Sequence, residues 1–199
     1  MSFDKHAGNL DEPRITGPEE MTPQCNWFDG TEDITETPWD WKIACVQDGE
    51  IAYGKFLLGG KAAFATVKWY RELMNWRHSL PKYQPDDNQS KVLAWMRDNG
   101  SIGIKETRQL LGVKKGPADA VMARLMLQCR AVTGDITRVY RGQDLHYNGW
   151  QISAFCRPED LFGEEPVPHS PAESRELLRE HIKELFPSAT EKMINKLID

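Results

Sequence analysis

The amino-acid sequence predicts an α+β protein. Segments with apolar residues at helical spacing are followed by short runs with the period of two that is typical of strands, and turn signals separate them. At 199 residues the chain is long enough to bury one sizeable core or two small ones. Its seven Trp favour a folded chain over a disordered one.

The first 80 residues are predicted to form an acidic arm (1–26) and a unit of a β-hairpin and a helix (27–80). Trp39, Trp41, Ile43 and Cys45 alternate with other residues, which predicts a strand with one apolar face. The next segments in chain order are a turn at 48–49, a strand at 51–58, a strand at 62–65 and an amphipathic helix at 66–77.

The middle of the chain, residues 85–165, shows the clearest order of elements. Helical patterns are expected at 91–99, 105–111 and 118–130, with Gly112 at the turn before the third. Strand patterns follow at 131–140 and 150–155, joined by a tip at 141–149 that contains Asn148-Gly149. This order predicts a winged helix, in which a helix-turn-helix is followed by a β-hairpin wing.

The C-terminal residues, 170–199, are predicted to form a helical hairpin. Ser170-Pro171-Ala172-Glu173 has the form of a capping box, and Ser188-Ala189-Thr190-Glu191 repeats it. Helices are therefore expected at about 173–185 and 189–198. Their apolar faces can pack on the body or on a partner, which would make them a homodimer interface. We expect all these units to form one compact body.

Charge is segregated along the chain. Residues 51–157 carry 17 Lys and Arg against 8 Asp and Glu, whereas the flanking segments are acidic and the whole chain has a net charge of −5. Basic side chains supply the phosphate contacts that dominate affinity for nucleic acids. We therefore predict DNA as the partner; the same surface could instead contact a protein. The candidate DNA-binding residues are Lys105, Arg108, Lys114, Lys115, Arg124, Gln128, Arg138 and Arg141.

Four short motifs resemble one protein family. They are residues 38–42 (PWDWK), 52–56 (AYGKF), 147–150 (YNGW) and 155–160 (FCRPED). Together they resemble the AlkZ-related family, named for winged-helix DNA glycosylases. The resemblance implies a bacterial cytoplasmic protein with winged-helix elements and a link to DNA repair. The glycosylases use a Gln-x-Gln or Gln-x-Asp motif, and no Gln here is followed by Gln or Asp two positions on.

An enzyme with a non-standard active site is the alternative function. Trp39, Asp40, Trp41, Tyr53 and Lys55 could line a pocket, since base-flipping enzymes stack an extruded base on aromatic rings beside a polar group. Asp40, Tyr53 and Lys55 are the candidate catalytic residues of a DNA glycosylase-like reaction. The competing interpretation places both Trp side chains in the core.

Several other classes of function are not expected. The four Cys are too far apart in sequence for paired metal ligands, so no metal site is predicted. Cys45 and Cys129 fall in apolar patterns and are expected to be buried. No phosphate-loop or dinucleotide motif indicates a cofactor. No membrane span and no secretory signal is recognisable, and a cytoplasmic location is expected.

Overall fold

The computed structural model is α+β, as predicted, and it describes residues 38–57, 60–141, 143 and 146–199. Side chains are described at 42–57, 60–139, 143 and 151–199. The elements in chain order are α1 (Pro38–Gln47), β1 (Ile51–Gly54), β2 (Ala63–Thr66), α2 (Val67–Ser79), α3 (Asp87–Asn99), β3 (Ser101–Gly103), α4 (Ile104–Leu111), α5 (Lys115–Leu127), β4 (Val132–Arg141), β5 (His146–Cys156), α6 (Pro158–Phe162), α7 (Pro171–Leu185) and α8 (Glu191–Ile198).

The strand predicted around Trp39–Cys45 is wrong, because these residues lie in helix α1. Ile43 and Val46, three residues apart, are 5% and 0% exposed and pack with Ile136 of β4 and Tyr53 of β1. Packing at helical spacing therefore overrides the period of two. Proline is also well suited to the first turn of a helix, the position that Pro38 takes.

The remaining N-terminal elements follow the prediction closely. β1 and β2 form a two-stranded antiparallel sheet, with Ala52 opposite Ala65. Helix α2 follows β2 directly and buries Tyr70 and Leu73 on the face that its periodicity indicates. A single 3-10 turn at Pro81–Tyr83 leads to α3.

The middle of the chain contains all five predicted elements and one more. Strand β3, three residues long, lies between α3 and α4 and pairs with β5, so the antiparallel sheet has the order β3-β5-β4. Gly112 adopts the left-handed conformation that ends α4, as its position between two helices predicted. The tip of the β4–β5 hairpin is shorter than predicted, because Arg141 pairs with His146 and the Asn148-Gly149 turn signal lies within β5.

The C-terminal helices pack on the body of the protein. Leu178 of α7 and Ile194 and Ile198 of α8 are buried in one core cluster with residues of β1, β2, α2, β4 and β5. The capping box of Ser170 and Glu173 begins α7 as predicted. The second box is displaced: Thr190, rather than Ser188, caps α8 by accepting a hydrogen bond from the Met193 amide.

Arg77 of α2 is completely buried and joins three parts of the chain. Its guanidinium donates to the carbonyl of Phe56, to Leu127 at the end of α5 (2.8 Å), and to Leu197 and Ile198 at the end of α8 (3.0 and 3.2 Å). Helix C-termini carry partial negative charge, which suits a cation in this position.

Helix α5 ends in a left-handed residue other than glycine. Cys129 has φ 55 and is fully buried. The Arg130 amide bonds to the Leu125 carbonyl and the Cys129 amide to that of Met126, which is the Schellman arrangement that closes a helix. This turn leads the chain from α5 into β4 with four residues between the two elements.

Candidate nucleic-acid interface

Four cations form a basic surface on α4 and at the start of α5: Lys105, Arg108, Lys114 and Lys115, all exposed. Helix α4 turns its other face inward, because Thr107 is buried and its hydroxyl donates to the carbonyl of Gly103 (2.8 Å). All four were predicted to bind DNA, and their exposure leaves them accessible to it. We refer to them below as the basic surface.

The exposed face predicted for the end of α5 is partly wrong. Gln128 is 1% exposed, and its side-chain amide donates to Gln89 Oε1 (2.8 Å) and to the Gln84 carbonyl (3.2 Å). Arg124 is half-buried, donates to the Lys82 carbonyl (2.5 Å) and lies 5.4 Å from the centre of the Tyr83 ring. The helix pattern could not show this, since the covering segment lies some 40 residues earlier in the chain.

The two candidates predicted to lie in the wing, Arg138 and Arg141, are on β4 near the tip of the β4–β5 hairpin. Arg138 is half-buried, opposite Gln151 of β5. Arg141 is the last residue of β4, and its side chain lies outside the part of the chain whose side chains are described. The β4–β5 hairpin is therefore part of the three-stranded sheet, and the contribution of these two arginines to DNA binding stays a prediction.

Of the residues predicted to line an N-terminal pocket, the side chains of Tyr53 and Lys55 are described. The Tyr53 ring stacks on Phe64 with centres 4.7 Å apart, and the Lys42 ammonium lies 5.4 Å from its centre. Burial raises the pKa of Tyr53, so its phenol stays protonated at neutral pH. Lys55, directly after β1, is exposed. Asp40 lies in α1, and its side chain, like those of Trp39 and Trp41, is outside the described residues.

The described cysteines are poor nucleophiles. Cys129 and Cys156 are buried, and Cys45, predicted to be buried, is half-buried. Burial, with the nearby charges of Asp160 and Glu159, raises the pKa of Cys156 to about 12. A thiol with so high a pKa supplies almost no thiolate at neutral pH. Among the described side chains, no three His, Cys, Asp or Glu lie close enough to hold a metal ion.

A family model described as AlkZ related matches residues 10–199. No curated protein and no solved structure matches the chain. Within the described residues, no helix combines the length and apolar character needed to cross a membrane.

Proposed function

The chain belongs to the AlkZ-related family, and on that premise we propose that it is a DNA-binding protein with a role in DNA repair. The observation that carries the proposal is the basic surface, four exposed cations on α4 and at the start of α5. Exposed cations attract the phosphates of a duplex and release its counterions, which favours binding.

The arrangement of the middle elements supports a winged-helix assignment for residues 85–165. The order α3-β3-α4-α5-β4-β5, with the sheet order β3-β5-β4, is that of a three-helix unit followed by a β-hairpin. In a helix-turn-helix the last helix enters the major groove by its N-terminal residues. Lys114 and Lys115 stand at that end of α5.

The N-terminus of α5 carries a partial positive charge that adds to the charges of Lys114 and Lys115. The amide groups at a helix N-terminus carry partial positive charge, and no acidic residue lies in the first turn of this fully described helix. The C-terminal half is covered by the 3-10 turn and Gln84. Contact with DNA is therefore assigned to the start of α5 and to α4, and chiefly to phosphates.

The salt dependence of binding tests this proposal. Fluorescence anisotropy with a labelled duplex should show an affinity that falls steeply with salt. Replacing Lys114 and Lys115 together by Ala should weaken binding roughly tenfold or more at low salt and reduce the slope of log K against log salt by about 2. The matched control replaces Lys192 and Lys196, two exposed lysines of α8, by Ala. It should leave both quantities nearly unchanged.

Two results would contradict the proposal. One is the absence of any binding at micromolar protein and low salt, since even non-specific DNA binding has an electrostatic contribution. The other is an equal loss of affinity in the two double variants, because the location of the charge would then not matter. In the second case the basic surface would be better explained by a protein partner.

A further inference from the structure

A cavity lies between α2, α3, the corner from α5 to β4 and the start of α6, at the end of α5 remote from Lys114 and Lys115. Its volume is about 280 Å³, just below the roughly 300–1,000 Å³ that is typical of ligand pockets, so it suits a small charged group. Three arginines from separate parts of the chain line it: Arg97, Arg130 and Arg157. The DNA-binding function proposed above uses none of them.

The guanidinium of Arg130 has few acceptors. Among the described residues it donates only to Gln84 Oε1, a neutral oxygen 3.2 Å from Nη2. Its Nε is buried without an acceptor, whereas Nη1, which has none either, is not buried. Burial lowers the pKa of Arg130 although the nearby charge of Glu159 acts in the opposite direction, so the positive charge is incompletely compensated. A ligand in the cavity can supply an acceptor at Nη1.

The other two arginines also have nitrogens without acceptors. Arg157 holds both carboxylate oxygens of Asp160 through Nε (2.9 Å) and Nη2, which fixes the guanidinium and leaves Nη1 without a described acceptor. Arg97 donates through Nε to Asp98, and its two Nη groups donate to no described residue. Both members of the second pair are exposed, and such ion pairs contribute little stability. An anion in the cavity can therefore bind Arg97 at little cost.

Helix α3 turns one face to the cavity. The lining residues of this helix follow the spacing i, i+3, i+4 and i+7 that defines one helical face, and they are Ser90, Leu93, Ala94 and Arg97. The exposed Ser90 hydroxyl can donate to an oxygen of an anion. The small side chain of Ala94 leaves space between Ser90 and Arg97.

The lining of the cavity has an excess of positive charge. Among the described residues, three arginines face one carboxylate there, that of Glu159. Asp98 and Asp160, which pair with two of the arginines, do not line the cavity. His78 lines it without adding negative charge, since burial, and after it the charge of Arg130, lower its pKa to about 4 and keep the ring neutral at neutral pH.

We propose that this cavity binds the phosphate group of a phosphate monoester. Such a group carries about 1.5 to 2 negative charges at neutral pH and offers three acceptor oxygens, whereas each phosphate within a nucleic-acid strand carries one charge. Arginine donors match phosphate oxygens in geometry as well as in charge. The monoester can be a small sugar phosphate or the phosphorylated 5′ end of a DNA strand. The site does not depend on DNA binding by the basic surface.

Calorimetric titration of the full chain with ribose 5-phosphate, and with ribose as the control ligand, tests the site. Ribose 5-phosphate should bind and ribose should not, because the phosphate supplies the contacts. Arg97→Met should weaken binding of ribose 5-phosphate at least about fivefold, since it removes a charged donor. Lys91→Met is the matched control, because this exposed lysine of α3 does not line the cavity, and it should leave binding unchanged.

Two further variants locate the phosphate within the cavity. Arg130→Met should weaken binding about tenfold or more, because this guanidinium is the most buried of the charged donors and has the fewest acceptors. Glu159→Gln should tighten binding several-fold, since it removes the carboxylate of the lining, whereas the exposed Glu164, which is outside the cavity, should tolerate Gln without effect. Thermal unfolding must show that the Arg130 variant folds, and the exposed Arg97 keeps the test valid if it does not.

A DNA strand with a 5′ phosphate and the same strand with a 5′ hydroxyl separate the two sources of the monoester. The comparison uses the variant with Lys114 and Lys115 replaced by Ala, so that the basic surface contributes little. Tighter binding of the phosphorylated strand, lost in Arg97→Met, would support a strand end as the ligand. Equal binding of the two strands, with ribose 5-phosphate still bound, would support a small phosphorylated molecule.

Three results would overturn the phosphate site. They are the absence of saturable binding of ribose 5-phosphate up to about 10 mM, equal effects of Arg97→Met and Lys91→Met, and loss of ribose 5-phosphate binding when Lys114 and Lys115 are replaced by Ala. The last result would move the phosphate to the basic surface and leave the proposed DNA binding intact. Conversely, loss of duplex binding alone would leave the cavity unaffected.

Discussion

His78, near the end of α2, is a base held without its proton. Its Nε2 lies 3.3 Å from the Cys129 carbonyl. Burial, with the positive charge of Arg130, lowers its pKa from 6.5 to about 4. The folded protein therefore carries this imidazole neutral at neutral pH, with Nε2 most simply taken as the donor to the carbonyl.

The low pKa of His78 makes stability depend on pH. Because the folded pKa is below the unfolded one, the unfolded chain binds more protons between about pH 4 and 6.5. The contribution of His78 is complete above this range and is lost as pH falls through it. Between about pH 7 and pH 5 the free energy of unfolding should fall by about 2 kcal/mol. Urea unfolding at both pH values measures the change.

Two histidine variants separate this effect from other titrations. His78→Gln should remove most of the pH dependence, whereas His181→Gln, at a half-buried position stacked on Trp69, should keep it. A wild-type stability that does not change over this range would contradict the assignment. Equal slopes in the two variants would do so as well.

At the scale of single residues, the sequence could indicate exposure beside a clear helical pattern but not the pairing of distant residues. Lys114 and Lys115 precede a clear helical pattern, so their exposure could be expected. Glu72 and His169 are 97 positions apart and carry no motif, and only the path of the chain after β5 brings them together. Long-range pairing of this kind leaves no local signal in a sequence.

At the scale of the elements, β4 needs a glycine at the point where its backbone lies against the Cys156 side chain of β5. The register of β4 and β5 shifts between Thr133 and Asp135, so Gly134 is the extra residue of a β-bulge. A Cβ at Gly134 would lie closer to Cys156 Sγ than side-chain carbons approach one another. Cys156 is buried at the end of β5, so it has little room to move.

Gly134→Ala should destabilise the protein by about 1 to 3 kcal/mol, because overpacking forces the two strands apart. Gly116→Ala is the control: no atom lies within 4 Å of a Cβ there, and alanine favours the helix. It should be neutral or slightly stabilising. Chemical denaturation gives both values, and Cys156→Ala should reduce the effect of Gly134→Ala in the double variant. Additive effects would show that the two side chains do not meet.

The elements that were predicted correctly are those whose own periodicity matches their packing. Helices α2, α3, α5 and α7 each bury the face that their apolar spacing defines. In α1 the apolar residues of the sequence alternate with a period of two, which hides the helical spacing of Ile43 and Val46, and β3 is only three residues long, too short to show a period. Contacts with neighbouring elements stabilise both: α1 packs against Ile136 of β4, and β3 pairs with β5.

For the whole molecule, Arg77 connects the N-terminal unit, the end of α5 and the C-terminal helices. Among the described residues, every oxygen that accepts a hydrogen bond from the Arg77 guanidinium is a backbone carbonyl oxygen. The division of the chain into an arm, two units and a helical hairpin remains our proposal. Arg77 is the reason we propose that the described units unfold together.

Arg77→Met should lower the free energy of unfolding by about 3 to 5 kcal/mol, since four carbonyls lose their buried donor. Arg97→Met, which changes an exposed arginine of α3 that pairs only with Asp98 among the described side chains, should change it by less than about 0.5 kcal/mol. Urea unfolding followed by circular dichroism measures both. A stable Arg77→Met variant would mean that these carbonyls find other donors, such as water.

The left-handed turn at Cys129 has a consequence for kinetics. Its Sγ is sealed inside the protein as long as the corner between α5 and β4 stays closed. With the other three cysteines replaced by serine or alanine, a thiol reagent can react only during the moments when that corner opens. At high reagent concentration the reaction rate equals the rate at which the corner opens. At low concentration it reports the equilibrium between the open and closed corner, so the two together give the closing rate.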